Sequence, residues 1–206
     1  MQENLIKKIS REKIYPIIRS NDAQRAIDTA NALIEGGIKL LEITIENASL
    51  YQAIHEVSKS ITVAAGGIIT GQQAIKAIDA GAEIISSPIF QMNMVKISKD
   101  KEIPLIACTS TANEAYEAWK TRVPLIKIFP AKALGGVLYI EDLLRPMPFL
   151  NVMPSGNILL EEVPDYIKAG VAAVGVGRGF YADSSFAEIT QKAKNIIKTL
   201  KDLKDL

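Results

Sequence analysis

A unit made of a helix, a glycine and an apolar strand recurs along the chain and constrains its fold more than any other feature. In three places a helical segment ends at glycine and an apolar run follows, at residues 36–37, at Gly81 and at Gly170. Glycine just past a helix is a common C-terminal cap, because it adopts the left-handed conformation without steric cost. Each copy is therefore predicted to be a helix that turns directly into a β-strand.

Eight short apolar runs alternate with segments of helical periodicity. We predict strands at residues 14–18, 40–44, 62–65, 84–87, 104–107, 125–130, 151–153 and 174–177. A leading helix is predicted at residues 2–12, and Asp22 is predicted to cap the helix that ends at Gly36. Alternating units of this kind predict a parallel sheet. Eight of them within residues 1–206 predict one α/β domain, a single (β/α)8 TIM barrel with an extra N-terminal helix, and an open doubly wound sheet is the alternative.

Composition restricts the kinds of site and partner. Hydrophobic residues make up 48% of the chain, enough for a large core, and the formal net charge of +1 argues against a general binder of nucleic acid or membrane surfaces. No apolar run reaches the length of a membrane span. The single cysteine, Cys108, and the single histidine, His55, exclude an intrachain disulfide and a metal site built on several such residues. We expect a cytoplasmic protein without a metal or cofactor.

Lys127 is the most unusual residue, because it lies in the middle of an apolar predicted strand, 125–130. Alternation places it on the same face as Leu125 and Phe129. A buried ammonium group is costly, burial favours the neutral amine, and a neutral amine attacks carbonyl groups. The sequence therefore favours a lysine that forms a Schiff base. The alternatives are a lysine held in an ion pair in the core and one that reaches into solvent from the strand end.

Glu42 is the second charged residue in an apolar strand, and it shares a face with Leu40 and Thr44. A buried carboxylate needs a partner, and Lys127 across the barrel is the candidate. Such a pair can perform covalent and acid–base chemistry together. It can also be purely structural, although a buried ion pair seldom adds stability over apolar packing.

The turns after the last two strands are candidates for a phosphate site, which in barrels of this type commonly lies there. Residues 155–157 and 177–179 are small, and Arg178 can add charge-assisted hydrogen bonds to an anion. Glycines that simply make tight turns are the alternative explanation. Cys108, placed just past the fifth strand, is interpreted as a packing residue.

Together these residues resemble the 2-keto-3-deoxy-6-phosphogluconate (KDPG) and 4-hydroxy-2-oxoglutarate (KHG) aldolase family. The resemblance runs from about residue 14 to residue 181 and depends on residues 16–19, 36–37 with 41–44, 87–88, and 127–131 with 135–136. It implies a class I aldolase on a homotrimeric barrel, with no metal. The products would be pyruvate with glyceraldehyde 3-phosphate, or with glyoxylate from the shorter substrate.

The resemblance also implies roles for individual residues. Lys127 would form the Schiff base with the keto acid, and Glu42 would transfer protons. Seven residues would bind or shape the site for a small keto acid, which is expected to be phosphorylated: Arg19, Pro88, Phe129, Ser155, Gly156, Gly177 and Arg178.

The chain departs from the family pattern mostly around the substrate. Glu46 stands where the family often has an arginine, Lys132 where a glutamate is usual, and Arg178 where a serine is usual.

Two further functions remain as alternatives to the cleavage of KDPG. One is the aldolase for the 6-phosphogalactonate analogue, which the stretch 110–114 resembles. The other is a barrel that binds a sugar phosphate without catalysis; a metal-free phosphosugar isomerase would leave Lys127 unexplained.

Overall fold

Eight parallel strands alternate with helices in the computed structural model, which describes residues 2–203 and their side chains from Leu5 onward. The strands are β1 Ile14–Ile18, β2 Leu40–Thr44, β3 Thr62–Gly66, β4 Ile84–Ser87, β5 Leu105–Thr109, β6 Leu125–Ile128, β7 Val152–Pro154 and β8 Val174–Val176. The helices are α1 Gln2–Glu12, α2 Ala23–Glu35, α3 Leu50–Ser58, α4 Gly71–Asp79, α5 Met92–Asp100, α6 Ala112–Lys120, α7 Ala131–Leu134, α8 Gly136–Leu144, α9 Val163–Lys168, α10 Arg178–Tyr181 and α11 Phe186–Asp202.

The strands close into a barrel. Hydrogen-bonded neighbours follow the order β7-β6-β5-β4-β3-β2-β1-β8, and a parallel bridge between Ser155 and Gly175 joins the two ends of that order. The predicted (β/α)8 barrel is therefore confirmed, and the open sheet is not formed. In a closed barrel β2 and β6 are four strands apart and face each other, so side chains from both can meet in the interior.

Alternation along each strand divides the core into two parts. Outward-facing residues such as Leu41 and Ile126 pack under the helices, whereas inward-facing residues such as Leu40 and Leu125 fill the barrel. Ile6 and Ile9 of α1 belong to the interior cluster, so the leading helix closes the amino-terminal end of the barrel. The carboxyl end carries the polar interior residues and is where barrels of this type hold their sites.

Helix boundaries follow the local signals in the sequence. Gly37, Gly81 and Gly170 have φ of +96°, +101° and +94°, the left-handed conformation expected after a helix. The Asp22 side chain accepts a hydrogen bond from the Arg25 amide at 2.7 Å, which confirms the predicted cap of α2.

Some predicted bounds are wrong by a few residues. β6 ends at Ile128, so Phe129 lies beyond the strand rather than on its inward face. β5 extends to Thr109, so Cys108 lies within the strand and not after it. A 3-10 turn, Leu160–Glu162, directly precedes α9. Within residues 2–203 none of the helices combines the length and the apolar character that crossing a bilayer requires.

Candidate active site

Lys127 and Glu42 meet in the interior of the barrel. Lys127 Nζ donates a hydrogen bond to Glu42 Oε2 at 2.8 Å, and their side chains are 9% and 2% exposed. The partner predicted from sequence is therefore the one the structure provides. With so little water around it, each charge depends on the other, and an uncompensated partner would be strongly unfavourable.

Strand alternation explains how two charged residues reach the interior. Leu40 and Leu125 belong to the interior cluster, so Glu42 and Lys127, two residues further along β2 and β6, point the same way. Both lie one step nearer the carboxyl end than this apolar layer. This apolar layer, which we call the apolar floor, fills the barrel interior, and the ion pair lies immediately on its carboxyl-terminal side.

Ser86 is a third member of this group. Its Oγ accepts a hydrogen bond from Lys127 Nζ at 3.0 Å, and the residue is 2% exposed. Ser86 lies on β4, between the strands that carry Glu42 and Lys127 in the barrel order. The amine therefore has two oxygen partners from two different strands.

Tyr15 lies beneath the pair, on the apolar floor. The centre of its ring is 5.8 Å from Lys127 Nζ, and the residue is fully buried. Burial, with the Glu42 carboxylate beside it, raises the pKa of the Tyr15 hydroxyl well above its usual value, so the phenol stays neutral. No hydrogen bond of good geometry joins this hydroxyl to any described residue.

Cys108 faces the interior from β5, where it lies opposite Lys127 in the strand register. Burial raises the pKa of its thiol to about 11, despite the opposing effect of the Lys127 charge. The thiol is therefore neutral at physiological pH and adds no charge to the site.

Gly66 leaves the space that the Glu42 carboxylate occupies. A Cβ atom built at Gly66 would lie 2.6 Å from Glu42 Cδ, closer than van der Waals contact allows. Gly66 ends β3, beside β2, so the carboxylate lies against its backbone. Above Glu42 on the same strand face, the Thr44 hydroxyl is buried and has no hydrogen-bond partner among the described residues.

Seven further predicted residues lie at or just beyond the carboxyl ends of strands, around the mouth of the barrel. Arg19 directly follows β1, and its guanidinium pairs with Glu46 Oε1 at 3.1 Å. The Arg19 amide donates a hydrogen bond to the Tyr181 hydroxyl at 3.2 Å. A Cβ atom built at Gly177 would lie 3.7 Å from that hydroxyl, which brings the ends of β1 and β8 together.

The turns after β6 and β7 pack against each other. The Ser155 amide donates to the Ile128 carbonyl at 2.9 Å, and the Ala131 amide donates to the Ser155 carbonyl at 2.8 Å. Gly156 has φ of +110°, and a Cβ atom there would lie 2.9 Å from Phe129 Cδ2. Phe129 remains 41% exposed at the mouth.

Two other predicted residues are less connected. Pro88 is exposed just after β4, and Arg178 is exposed at the start of α10. Within the described part of the chain, the side chain of Arg178 makes no ion pair, and neither residue bonds to another predicted site residue. Lys132, which stands where the family usually has a glutamate, pairs with Glu162 Oε1 at 2.8 Å.

Four residues near the pair were missed or misplaced by sequence reasoning: Tyr15, Gly66, Ser86 and Cys108. Strand alternation carried a usable signal for two of them, because Ser86 and Cys108 follow Ile84 and Ile106 by two residues and so share their inward faces. The role of Gly66 had no such signal, since it depends on how the neighbouring side chain is placed.

The arrangement is suited to covalent chemistry on a carbonyl compound. It combines a buried amine, an adjacent carboxylate that can accept its proton, and two arginines at the mouth, Arg19 paired with Glu46 and the exposed Arg178. Groups of three or more His, Cys, Asp or Glu residues in a metal-binding arrangement do not occur among residues 2–203.

Comparison with known proteins agrees with this geometry. The family model described as KDPG and KHG aldolase matches residues 5–198. A 2-dehydro-3-deoxy-phosphogluconate aldolase of Haemophilus influenzae is 27% identical, with 97% of this chain and 98% of that protein covered. The enzyme of the same name from Treponema pallidum is 30% identical, with 77% of each chain covered.

Among solved structures, KDPG aldolase from Legionella pneumophila superimposes with a TM-score of 0.85. It is 25% identical, and 95% of this chain and 98% of that chain are covered. Its crystal structure holds pyruvate as a covalent carbinolamine intermediate. A carbinolamine forms when an amine adds to a ketone, which is the chemistry the buried amine of this chain is suited to.

Proposed function

The chain belongs to the KDPG and KHG aldolase family, and on that premise we propose that it cleaves KDPG, or the shorter KHG, through a Schiff base on Lys127. The observation that carries this proposal is the buried contact of Lys127 Nζ with Glu42 Oε2 at 2.8 Å. The products are pyruvate and glyceraldehyde 3-phosphate, or pyruvate and glyoxylate. The reaction class is that of a carbon–carbon lyase.

The first half of the reaction joins the keto acid to the enzyme. Glu42 accepts a proton from the Lys127 ammonium, and the neutral amine attacks C2 of the substrate. The ketone oxygen takes up a proton to give a carbinolamine, which loses that oxygen as water and leaves an iminium ion. Glu42 lies close enough to return the proton needed for this loss.

The second half breaks the carbon–carbon bond. A base removes the proton of the C4 hydroxyl, its electrons form the aldehyde, and the C3–C4 bonding electrons pass to the iminium to give an enamine. Protonation of C3 gives the pyruvate iminium, and water releases pyruvate and the free amine. We assign the proton transfers to Glu42, directly or through a water molecule, because it is the carboxylate in contact with the reacting nitrogen.

The residues around the mouth supply substrate contacts in this proposal. Arg19 meets a substrate anion, Phe129 packs on the carbon chain and Pro88 shapes the pocket. Ser155, Gly156 and Gly177, with Arg178, hold the distal phosphate. The support is their common position at the carboxyl ends of the strands and the side chain of Arg178, which is exposed and has no ion-pair partner within residues 2–203.

We further propose that residues 1–206 form a single domain and that the enzyme is a cytoplasmic homotrimer. The resemblance to a trimeric family supports the assembly. Exposed apolar side chains near the mouth, Ile89, Met92 and Leu138, offer area for contacts between subunits. Light scattering coupled to size-exclusion chromatography tests the trimer directly.

Borohydride reduction in the presence of pyruvate, followed by peptide mass spectrometry, tests the nucleophile. We expect a reduced pyruvate adduct on Lys127 in the wild type and no adduct in Lys127→Arg. Lys132→Met is the matched control and should keep the adduct, because Lys132 is paired with Glu162 outside the barrel interior. Folded wild-type protein with no adduct, or with an adduct on Lys132, would contradict the assignment.

Pyruvate release then identifies the substrate. Cleavage of KDPG, of its galactonate analogue and of KHG is followed with lactate dehydrogenase at matched concentrations. We expect the highest kcat/KM with KDPG, because the exposed Arg178 side chain is available to a phosphate. Equal kcat/KM with the unphosphorylated KHG would contradict the phosphate site while leaving the Schiff-base mechanism intact.

A further inference from the structure

Ser86 differs in its hydrogen bonding from two other buried serines, Ser87 and Ser98. The hydroxyls of Ser87 and Ser98 donate to the backbone carbonyls of Ile89 and Ile103, as buried serines usually do. The Ser86 hydroxyl instead accepts from Lys127 Nζ, and no acceptor for its own hydrogen occurs among the described residues. The Ser86 hydroxyl is therefore bonded to the lysine side chain and not to a nearby backbone carbonyl.

The position of Ser86 is unusual for a polar residue. Ile84, two residues earlier on the same strand face, belongs to the apolar interior of the barrel. Burying a hydroxyl there costs free energy that an apolar side chain would not cost, unless the hydroxyl is hydrogen-bonded. The hydrogen bond from Lys127 Nζ to the Ser86 hydroxyl is the interaction that offsets this cost.

The two oxygen partners fix the orientation of the amine. In the neutral form Nζ carries two hydrogens and one lone pair around the Cε–Nζ bond. The proton that Glu42 takes up leaves from the third tetrahedral position, through a water molecule. One remaining hydrogen then points at Glu42 Oε2 and the other at Ser86 Oγ, so the lone pair is confined to that third direction. With Glu42 as sole partner, the amine could rotate about Cε–Nζ and present its lone pair in several directions.

We propose that Ser86 is a positioning residue that, together with Glu42, aims the Lys127 lone pair at the substrate carbonyl. This role rests on the proposed function, because it requires Lys127 to be the nucleophile. Ser86 acts through Lys127 and speeds formation of the carbinolamine. Orientation of a reacting group affects the rate of the chemical step more than the binding of substrate, so its loss should lower kcat with little change in KM.

The test compares Ser86→Ala with Ser98→Ala. Both remove the hydroxyl of a buried serine by the same substitution, but Ser98 lies on α5, outside the barrel interior. Rapid-quench borohydride trapping measures the rate of pyruvate adduct formation on Lys127, and steady-state assays give kcat and KM. We expect Ser86→Ala to slow adduct formation about 10- to 100-fold, with KM changed less than about 3-fold. Ser98→Ala should match the wild type in adduct formation.

Two further variants separate orientation from packing. Ser86→Thr keeps the hydroxyl and should restore adduct formation to within a few-fold of the wild type. Ser86→Cys keeps the volume but is a weak acceptor, so it should resemble Ser86→Ala. Thermal melting of each variant verifies that it is folded.

The outcomes are distinct. Wild-type rates in both Ser86→Ala and Ser86→Cys would overturn the positioning role while leaving Lys127 as the nucleophile. An equal loss in Ser86→Ala and Ser98→Ala, or a KM that rises in proportion to the loss, would also overturn it. Absence of an adduct in the folded wild type would overturn the proposed function itself, and the positioning role with it.

Discussion

Lys127 and Glu42 are 85 residues apart in the sequence and lie on facing strands of the barrel, yet their charged atoms are 2.8 Å apart in its interior. The contact depends on barrel closure, because β2 and β6 are not neighbours in the sheet. In water-poor surroundings the two charges are energetically dependent on each other. The stability of the barrel and the chemistry of the site are therefore linked at this pair.

The first prediction concerns that dependence. Lys127→Met leaves the Glu42 carboxylate buried without its cation, and we expect unfolding free energy to fall by about 3–5 kcal/mol. Lys127→Met combined with Glu42→Leu removes both charges and should recover most of that loss. Denaturation in guanidinium chloride at neutral pH measures both. If the single variant were as stable as the wild type, the pair would not be electrostatically coupled in the folded protein.

The second prediction concerns Gly66. The methyl group of Gly66→Ala would overlap the Glu42 carboxylate, so we expect that side chain to move and its contact with Lys127 to break. Activity should fall at least 10-fold, and stability by about 1–3 kcal/mol. The cost of Gly66→Ala should be smaller in a Glu42→Ala background, because the obstructing carboxylate is gone. Strictly additive stability changes in this double-mutant cycle would rule out the overlap as the cause.

The third prediction concerns the ion pair of Arg19 with Glu46 at the mouth. Its side chains are 56% and 37% exposed, so Glu46→Gln should change stability little. Glu46→Gln frees the guanidinium and removes a negative charge, so KM for a phosphorylated substrate should fall several-fold, and less at high salt. Glu141→Gln is the control, since that exposed glutamate lies on α8, outside the mouth. An unchanged KM would show that Arg19 does not meet the substrate anion.

The fourth prediction concerns alkaline pH and Cys108. Burial raises the pKa of this thiol from 9.0 to about 11 in the folded protein, so the unfolded chain releases the proton first as pH rises. Stability should therefore decline between about pH 9 and 11, by up to about 1.4 kcal/mol for each pH unit. The raised pKa of Tyr15 acts in the same direction above pH 10.

Cys108→Ala tests this assignment. Urea denaturation in the presence of reductant, repeated from pH 8 to pH 11, should show a shallower decline in the variant than in the wild type. The remaining slope would belong to Tyr15 and other groups. Identical slopes in the two proteins would mean that the thiol does not contribute.

The sequence by itself determined the fold type and the two charged side chains that meet in the barrel interior. Cap residues such as Asp22 and glycines such as Gly81 act within one turn of a helix, so short windows of sequence specify where elements begin and end. A lysine and a glutamate in apolar strands are recognisable from their neighbours, because burying a charge is costly. The prediction that Lys127 and Glu42 pair required only that both be buried in one barrel.

Only the tertiary structure decided what surrounds that pair. Three features join residues on different strands or loops. They are the hydrogen bond from Lys127 to Ser86, the space that Gly66 leaves for the Glu42 carboxylate, and the ion pair of Arg19 with Glu46. Such contacts depend on strand stagger and barrel closure, which set side-chain positions to within an ångström. Local sequence preferences specify each element but not the distances between side chains on separate elements, and those distances govern the chemistry of the site.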